Sequence, residues 1–150
     1  MKKMVLIAFI FIVGMESNAQ QSKKMEYIQE AKDAIREVLE TKYFMGIYAG
    51  NVDLLSQAFN PGTLLFGDVK QQPYAKTLVE YLDGVKNRQS PRNSGQPFNG
   101  SIICIKVVNS IGIAEVKVKM YEFLYHEFLS FHQINGKWLI VNKMITDTYP

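Results

Sequence analysis

The chain has 150 residues, 47% of them apolar and 21% charged, and carries a formal net charge of +3. That composition fits one compact domain with a sizeable core, excludes a disordered or fibrous chain, and gives no basic stripe of the kind nucleic acid requires. One cysteine, Cys104, excludes an intramolecular disulfide framework, and with only His126 and His132 beside it no metal centre is expected.

Lys2 and Lys3 precede an apolar run of eleven residues from Met4 to Gly14, and small residues follow at Ser17 and Ala19. These are the three parts of a secretory leader. Residues 1–19 are therefore expected to be a signal peptide cleaved after Ala19, with residues 20–150 forming a single exported domain, periplasmic or secreted. The alternative is a retained anchor. Eleven residues span only about 16 Å as a helix, against a hydrocarbon core of roughly 30 Å, so no stable membrane insertion is expected after cleavage. Cleavage leaves fifteen basic and thirteen acidic side chains, a net charge of +2.

From Met25 to Ala49, Tyr27, Ala31, Ala34, Val38, Met45 and Tyr48 recur at helical spacing, with Ile28, Ile35 and Leu39 alongside. Acidic and basic residues such as Glu30, Asp33, Arg36 and Glu40 take the other side, which predicts one long helix with a broad apolar stripe. Gly50 ends it, and Asn51 or Asp53 caps a short second helix running to Phe59. Asn60-Pro61-Gly62 is a turn, Thr63–Phe66 a short strand, and Pro73 the expected opening of a third helix with Leu78, Tyr81, Leu82 and Val85 on one face. Arg88–Gly95 has no apolar residue and reads as a loop.

The last third predicts four antiparallel strands. Ile102–Val108 turns at Asn109-Ser110 into a strand where Ala114, Val116, Val118 and Met120 alternate with Glu115, Lys117 and Lys119. Cys104 is expected to be buried in the first of these strands. A third strand, Tyr121–Gln133, is interrupted near Glu122, and Asn135-Gly136 is the strongest hairpin signal in the chain. In the fourth, Lys137–Thr146, Trp138, Ile140 and Met144 are expected on one face and Leu139 and Val141 on the other. Helices cover one side of a curved sheet, so an exposed apolar patch including Leu139, Val141 and Ile103 or Ile105 is expected on the other side. Such a patch points to a homodimer, unless Thr146–Pro150 or the stems of Lys106 and Lys117 cover it.

This order of elements resembles the nuclear transport factor 2-like superfamily, and within it the SnoaL-like and lumazine-binding-like group. The residues carrying the likeness are Tyr48–Asp53, Phe59-Asn60-Pro61, Tyr81–Val85, Arg88, Ser90-Pro91 and Phe128–Lys143. It covers roughly residues 26–147. The resemblance implies an α+β fold, a cone-shaped roll with three N-terminal helices packed on a curved antiparallel sheet, and relatives that dimerise through the outer sheet face. Relatives often carry His where this chain has Asn60. Because the fold hosts both enzymes and pure binding modules, it implies no particular activity.

Two functions stand side by side. One is an exported module binding a small apolar or aromatic ligand, or a partner, in a cone-shaped pocket. For that, Tyr48, Phe66, Tyr74, Tyr81 and His126 are the candidate lining, with Arg88 as an anion anchor at the mouth. The other is a small isomerase- or dehydratase-like enzyme. The resemblance then implies a proton carrier inside the cone, for which Asp68, His126, Glu127 and Tyr81 are the candidates. His126 and His132, about 20 Å apart on a regular strand, are too distant to share a metal ion. No spaced acid/base pair, nucleophile elbow or phosphate loop is present, so no catalytic residue is assigned and no cofactor is expected. Nothing in these residues selects a pteridine ring.

Overall fold

The computed structural model describes the backbone of residues 4–148 and the side chains from Gln20 to Thr148. The start of the expected leader, Lys2 and Lys3, lies outside the described residues, as do the side chains of residues 4–19 and the whole of Tyr149 and Pro150. Helix α1 (Met4–Glu37) runs through a π-helical stretch, Val38–Phe44, into α2 (Met45–Ala49). At the junction the Thr41 hydroxyl donates to the Glu37 carbonyl at 2.7 Å, a local bond that competes with the regular ladder. The wider π turn buries Val38, Leu39, Tyr43 and Phe44 together. Asn51 caps α3 (Val52–Ser56) by accepting from the Leu54 amide at 3.0 Å.

Six strands follow: β1 (Phe59–Val69), β2 (Gln72–Thr77), β3 (Phe98–Val108), β4 (Ile111–Met120), β5 (Phe123–Ile134) and β6 (Lys137–Asp147). They form one sheet in the order β2-β1-β6-β5-β4-β3. Every neighbouring pair is antiparallel except β1 with β6, the pairing that joins the helical half to the meander. Between β2 and β3 lie α4 (Leu78–Asn87) and the short α5 (Pro91–Ser94). This is the expected α+β cone.

Several expectations need correction. Pro73 does not open a helix; it sits in edge strand β2, where a missing N–H costs no ladder bond. The helix opens at Thr77, whose hydroxyl accepts from the Glu80 amide while the Glu80 carboxylate accepts from the Thr77 amide. Residues Tyr121 and Glu122 do not interrupt a strand. They are the two-residue turn between β4 and β5, with Tyr121 at φ 57°. Finally, the supposed loop Arg88–Gly95 contains α5, capped by Ser90 accepting from the Asn93 amide.

Bulges decide which side chains enter the cone. Between β5 and β6 the register runs Phe131↔Ile140 and then Ser130↔Asn142, leaving Val141 as an extra residue. A one-residue insertion inverts every side chain beyond it. Trp138 and Ile140 face the core, and past the bulge Lys143 and Ile145 do so as well. Met144 is therefore turned outward and is 55% exposed, contrary to its expected place beside Trp138. A second bulge at Ile103, between the pairs Ile102↔Val116 and Cys104↔Glu115, sends Cys104 to the outer face, half-buried, and Ile105 into the core.

The helical layer lies on the concave face, around Ile35, Leu39, Phe44, Leu129 and Phe131. Gly100 of β3 allows that approach, since a Cβ there would sit 2.4 Å from Cγ of Phe44. The convex face instead exposes Phe66, Val108, Ile111, Ile113, Phe128 and Met144.

Candidate functional site

At the wide end of the cone, α4 leans on β1 and β2 and leaves a cavity of about 180 Å³ against the concave face of β4, β5 and β6. Apolar walls come from Ile47, Val85, Val118, Met120 and Ile145. That volume is close to the roughly 150 Å³ of an apolar cavity that takes up benzene, so there is room for about one ring and a substituent.

Its floor is polar and closed on itself. Lys143 Nζ donates to Glu127 Oε1 and to the Tyr43 hydroxyl, each at 2.6 Å, and the Tyr43 hydroxyl donates to Glu127 Oε2 at 2.6 Å. Lys143 and Glu127 are each 2% exposed and Tyr43 is fully buried. Three elements meet here: the π-helical stretch brings Tyr43, β5 brings Glu127, and the Val141 bulge turns Lys143 of β6 inward. The ammonium also lies 5.0 Å from the Tyr81 ring centroid and 5.3 Å from that of Tyr43, within cation–π range.

Around the floor stand Tyr74, Tyr81 and Tyr125. Burial pushes the Tyr43 phenol well above its ordinary value, and the charge of Glu127 pushes the same way. Tyr81 is raised for the same two reasons, with Arg88 opposing. Burial lifts Tyr125 to about 12, again against the pull of Arg88, and lifts Tyr74 against the pull of Lys143. Near neutral pH all four are uncharged O–H groups, able to donate or accept.

Arg88 follows the last turn of α4 in extended conformation and lines the mouth, with Lys76 also on the rim. The backbone around it is pinned: the Tyr121 hydroxyl donates to the Gln89 carbonyl, and Ser90 caps α5. Among the described residues, Arg88 Nε is the one buried side-chain nitrogen or oxygen without a hydrogen-bond partner.

The sequence-expected residues divide cleanly. Tyr74, Tyr81 and Arg88 line the cavity together with Glu127, one of the candidate proton carriers. Tyr48 lies outside the lining, packed on Phe98 at 5.4 Å between centroids with Arg92 over its ring. Phe66, Asp68 and His126 point to the other side of the sheet, as even-numbered neighbours of the inward Leu65 and Glu127. There His126 Nε2 lies 2.7 Å from Glu115 Oε1 and its ring stacks on Phe128. Tyr43, Tyr125 and Lys143 escaped sequence reading. Plain alternation along β6 places Lys143 on the side of Leu139 and Val141, in solvent, and only a detected bulge reverses that. Among the described residues no group of three or more His, Cys, Asp or Glu is placed to hold a metal ion. No helix among them is long and apolar enough to cross a membrane.

The sequence model of the family described as "Putative lumazine-binding" matches residues 30–146. No curated protein matches the sequence. Among solved structures, an NTF2-like protein of unknown function from Shewanella baltica OS155 is similar at 25% identity and a TM-score of 0.70, over 81% of this chain and 96% of that one. An NTF2-like protein of unknown function from Methylobacillus flagellatus KT is similar at 23% identity and a TM-score of 0.71, over 80% and 94% of the two chains. A ketosteroid isomerase-like protein from Erwinia carotovora atroseptica SCRI1043 shares the fold at 9% identity and a TM-score of 0.62, over 81% and 98%.

Proposed function

The chain belongs to the lumazine-binding-like family whose model it matches over residues 30–146, and from that premise we propose that it is a module binding a small, partly aromatic ligand in the cone cavity. The observation that carries this reading is the contrast within one small space. Apolar walls surround a floor where Tyr43, Glu127 and Lys143 are hydrogen-bonded to one another, with neutral tyrosine hydroxyls around it. Apolar surface gives affinity, and a few fixed polar groups give orientation.

A second reading, an isomerase- or dehydratase-like enzyme, has one observation in its favour: Glu127 is a carboxylate inside the cavity. Each of its oxygens already accepts a short hydrogen bond, so a proton from a ligand would have to enter on a second lone pair of a carboxylate already engaged by Tyr43 and Lys143. Binding therefore takes precedence. Ligand-observed NMR with small aromatic probes tests it. Probes should bind the native protein and fail to bind Val118→Phe, which fills the cavity at an overpacking cost of about 1–3 kcal/mol. Equal binding to both would remove the reading, whereas a probe converted to product only when Glu127 is intact would favour the enzyme.

The reading also includes export and pairing. Residues 1–19 act as a cleaved leader, and mass spectrometry of envelope protein should find an N-terminus at or near Gln20; an intact Met1 there would contradict it. Phe66, Phe128 and Met144 lie on adjacent paired positions of the convex face, and Val108, Ile111 and Ile113 extend the apolar surface. A patch of that kind supports a two-fold homodimer.

A further inference from the structure

The charge around the cavity is unbalanced, and the imbalance narrows the ligand. Three cations line it, Lys76, Arg88 and Lys143, against one carboxylate, Glu127. Lys143 is paired with Glu127 at 2.6 Å. Among the described residues no carboxylate lies within ion-pair distance of Arg88, although its Nε is buried. The guanidinium therefore lines the cavity without a protein counter-ion, and a charge-assisted hydrogen bond from it to an oxyanion is roughly twice as strong as one to a neutral acceptor. The flat fork of Arg matches a planar carboxylate better than it matches a point charge.

Resting on the binding proposal above, we infer that the ligand carries one carboxylate-class anion held by Arg88 at the mouth, with its apolar ring directed inward against Val118, Met120 and Ile145. Tyr74, Tyr81 and Tyr125 fit that arrangement. Burial is the largest influence on each and keeps each phenol protonated, with Glu127 adding to it and Arg88 opposing it, so the three present O–H donors rather than competing negative charge. Both oxygens of Glu127 are engaged by Lys143 and Tyr43, and the Lys143 ammonium offsets its charge. A cationic ligand would face Arg88, which has no carboxylate within ion-pair distance among the described residues.

Three isosteric probes separate the possibilities: benzoate, benzamide and benzamidine, which share size and shape and differ in charge. Isothermal titration and NMR line shifts on the purified protein should rank benzoate above benzamide by about tenfold or more, with benzamidine weakest. Arg88→Gln should abolish the benzoate preference, so that benzoate and benzamide bind that variant with similar affinity, while Arg88→Lys should keep part of the preference. If benzamide binds and benzoate binds no better, the anion inference fails while the cavity reading survives. If benzoate preference persists in Arg88→Gln, Arg88 is not the anchor and the inference fails as stated. If none of the three binds at millimolar concentration, the cavity reading falls and this inference with it.

Discussion

Replacing Lys143 by methionine isolates the polar floor of the cavity. The two charges of the Lys143–Glu127 pair are 2.6 Å apart and 2% exposed. With an effective dielectric of about 20 their attraction is about 6 kcal/mol, while each ion has given up several kcal/mol of hydration to be buried. Formation of the pair is thus close to neutral overall. Its loss is not. Lys143→Met leaves the Glu127 carboxylate buried with only the Tyr43 hydroxyl as donor, and an uncompensated buried charge costs about 3–5 kcal/mol. In a chain of this length that is a fall of about 10 °C or more in thermal midpoint. The triple variant Tyr43→Phe, Glu127→Leu, Lys143→Met removes every polar atom of the ring and leaves no buried charge, so it should stay within about 2 kcal/mol of the native protein or exceed it. Denaturant unfolding of the single and triple variants measures both. A cost below about 1 kcal/mol for Lys143→Met, or a triple variant as damaged as the single, would refute the reasoning. The predicted pattern would mean that the ring is dispensable for folding and that its use lies in the cavity.

Alkaline pH should destabilise the fold through the same tyrosines. Tyr43, Tyr74, Tyr81 and Tyr125 are all raised in the folded state, so the folded chain keeps protons that the unfolded chain releases. Their stabilisation is complete below about pH 10 and declines above it, by up to about 1.4 kcal/mol per pH unit for each tyrosine, until the folded value is passed. Tyr125 reaches that point near pH 12; tyrosinate absorbance showing all eight tyrosines titrating normally in the folded protein would contradict this. Gly67→Ala should cost roughly 3 kcal/mol or more or prevent folding, because its Cβ would lie 1.7 Å from the Ile145 carbonyl oxygen at φ +142°. Gly84→Ala in α4, whose nearest neighbour would be Lys76 Nζ at 3.9 Å, should instead stabilise by about 0.5–1 kcal/mol on chemical denaturation. Val141→Glu, on the convex face, should shift sedimentation at micromolar concentration from dimer to monomer, and a monomeric native protein would end the dimer proposal.

Period-two alternation in β4, helical spacing in α1 and the Asn135-Gly136 turn made the architecture legible before any coordinates. Edge strand β2 was hidden because its hairpin turns through Lys70 and Gln71 at φ 54° and 59°, residues that carry no turn signature. Half of the cavity was hidden for a related reason. Tyr74, Tyr81, Arg88 and Glu127 could be named from residue type and position, whereas Lys143 reaches the cone through a bulge. Bulges are set by which residue of a partner strand goes unmatched, a long-range property that one strand's sequence does not contain. Phe66 and His126 erred in the opposite sense. Their chemistry suits a pocket, but the pleat carries them to the convex side.

The most direct measurement is a methyl NMR map of the protein titrated with benzoate. A ring inside the cone shifts the methyls of Ile47, Val118, Met120 and Ile145, which line the cavity, through its ring current. It leaves Val108, Ile111, Ile113 and Met144 on the convex face unmoved. That pattern is the predicted result; saturable shifts confined to the convex methyls, with the cavity methyls unchanged, would contradict the account.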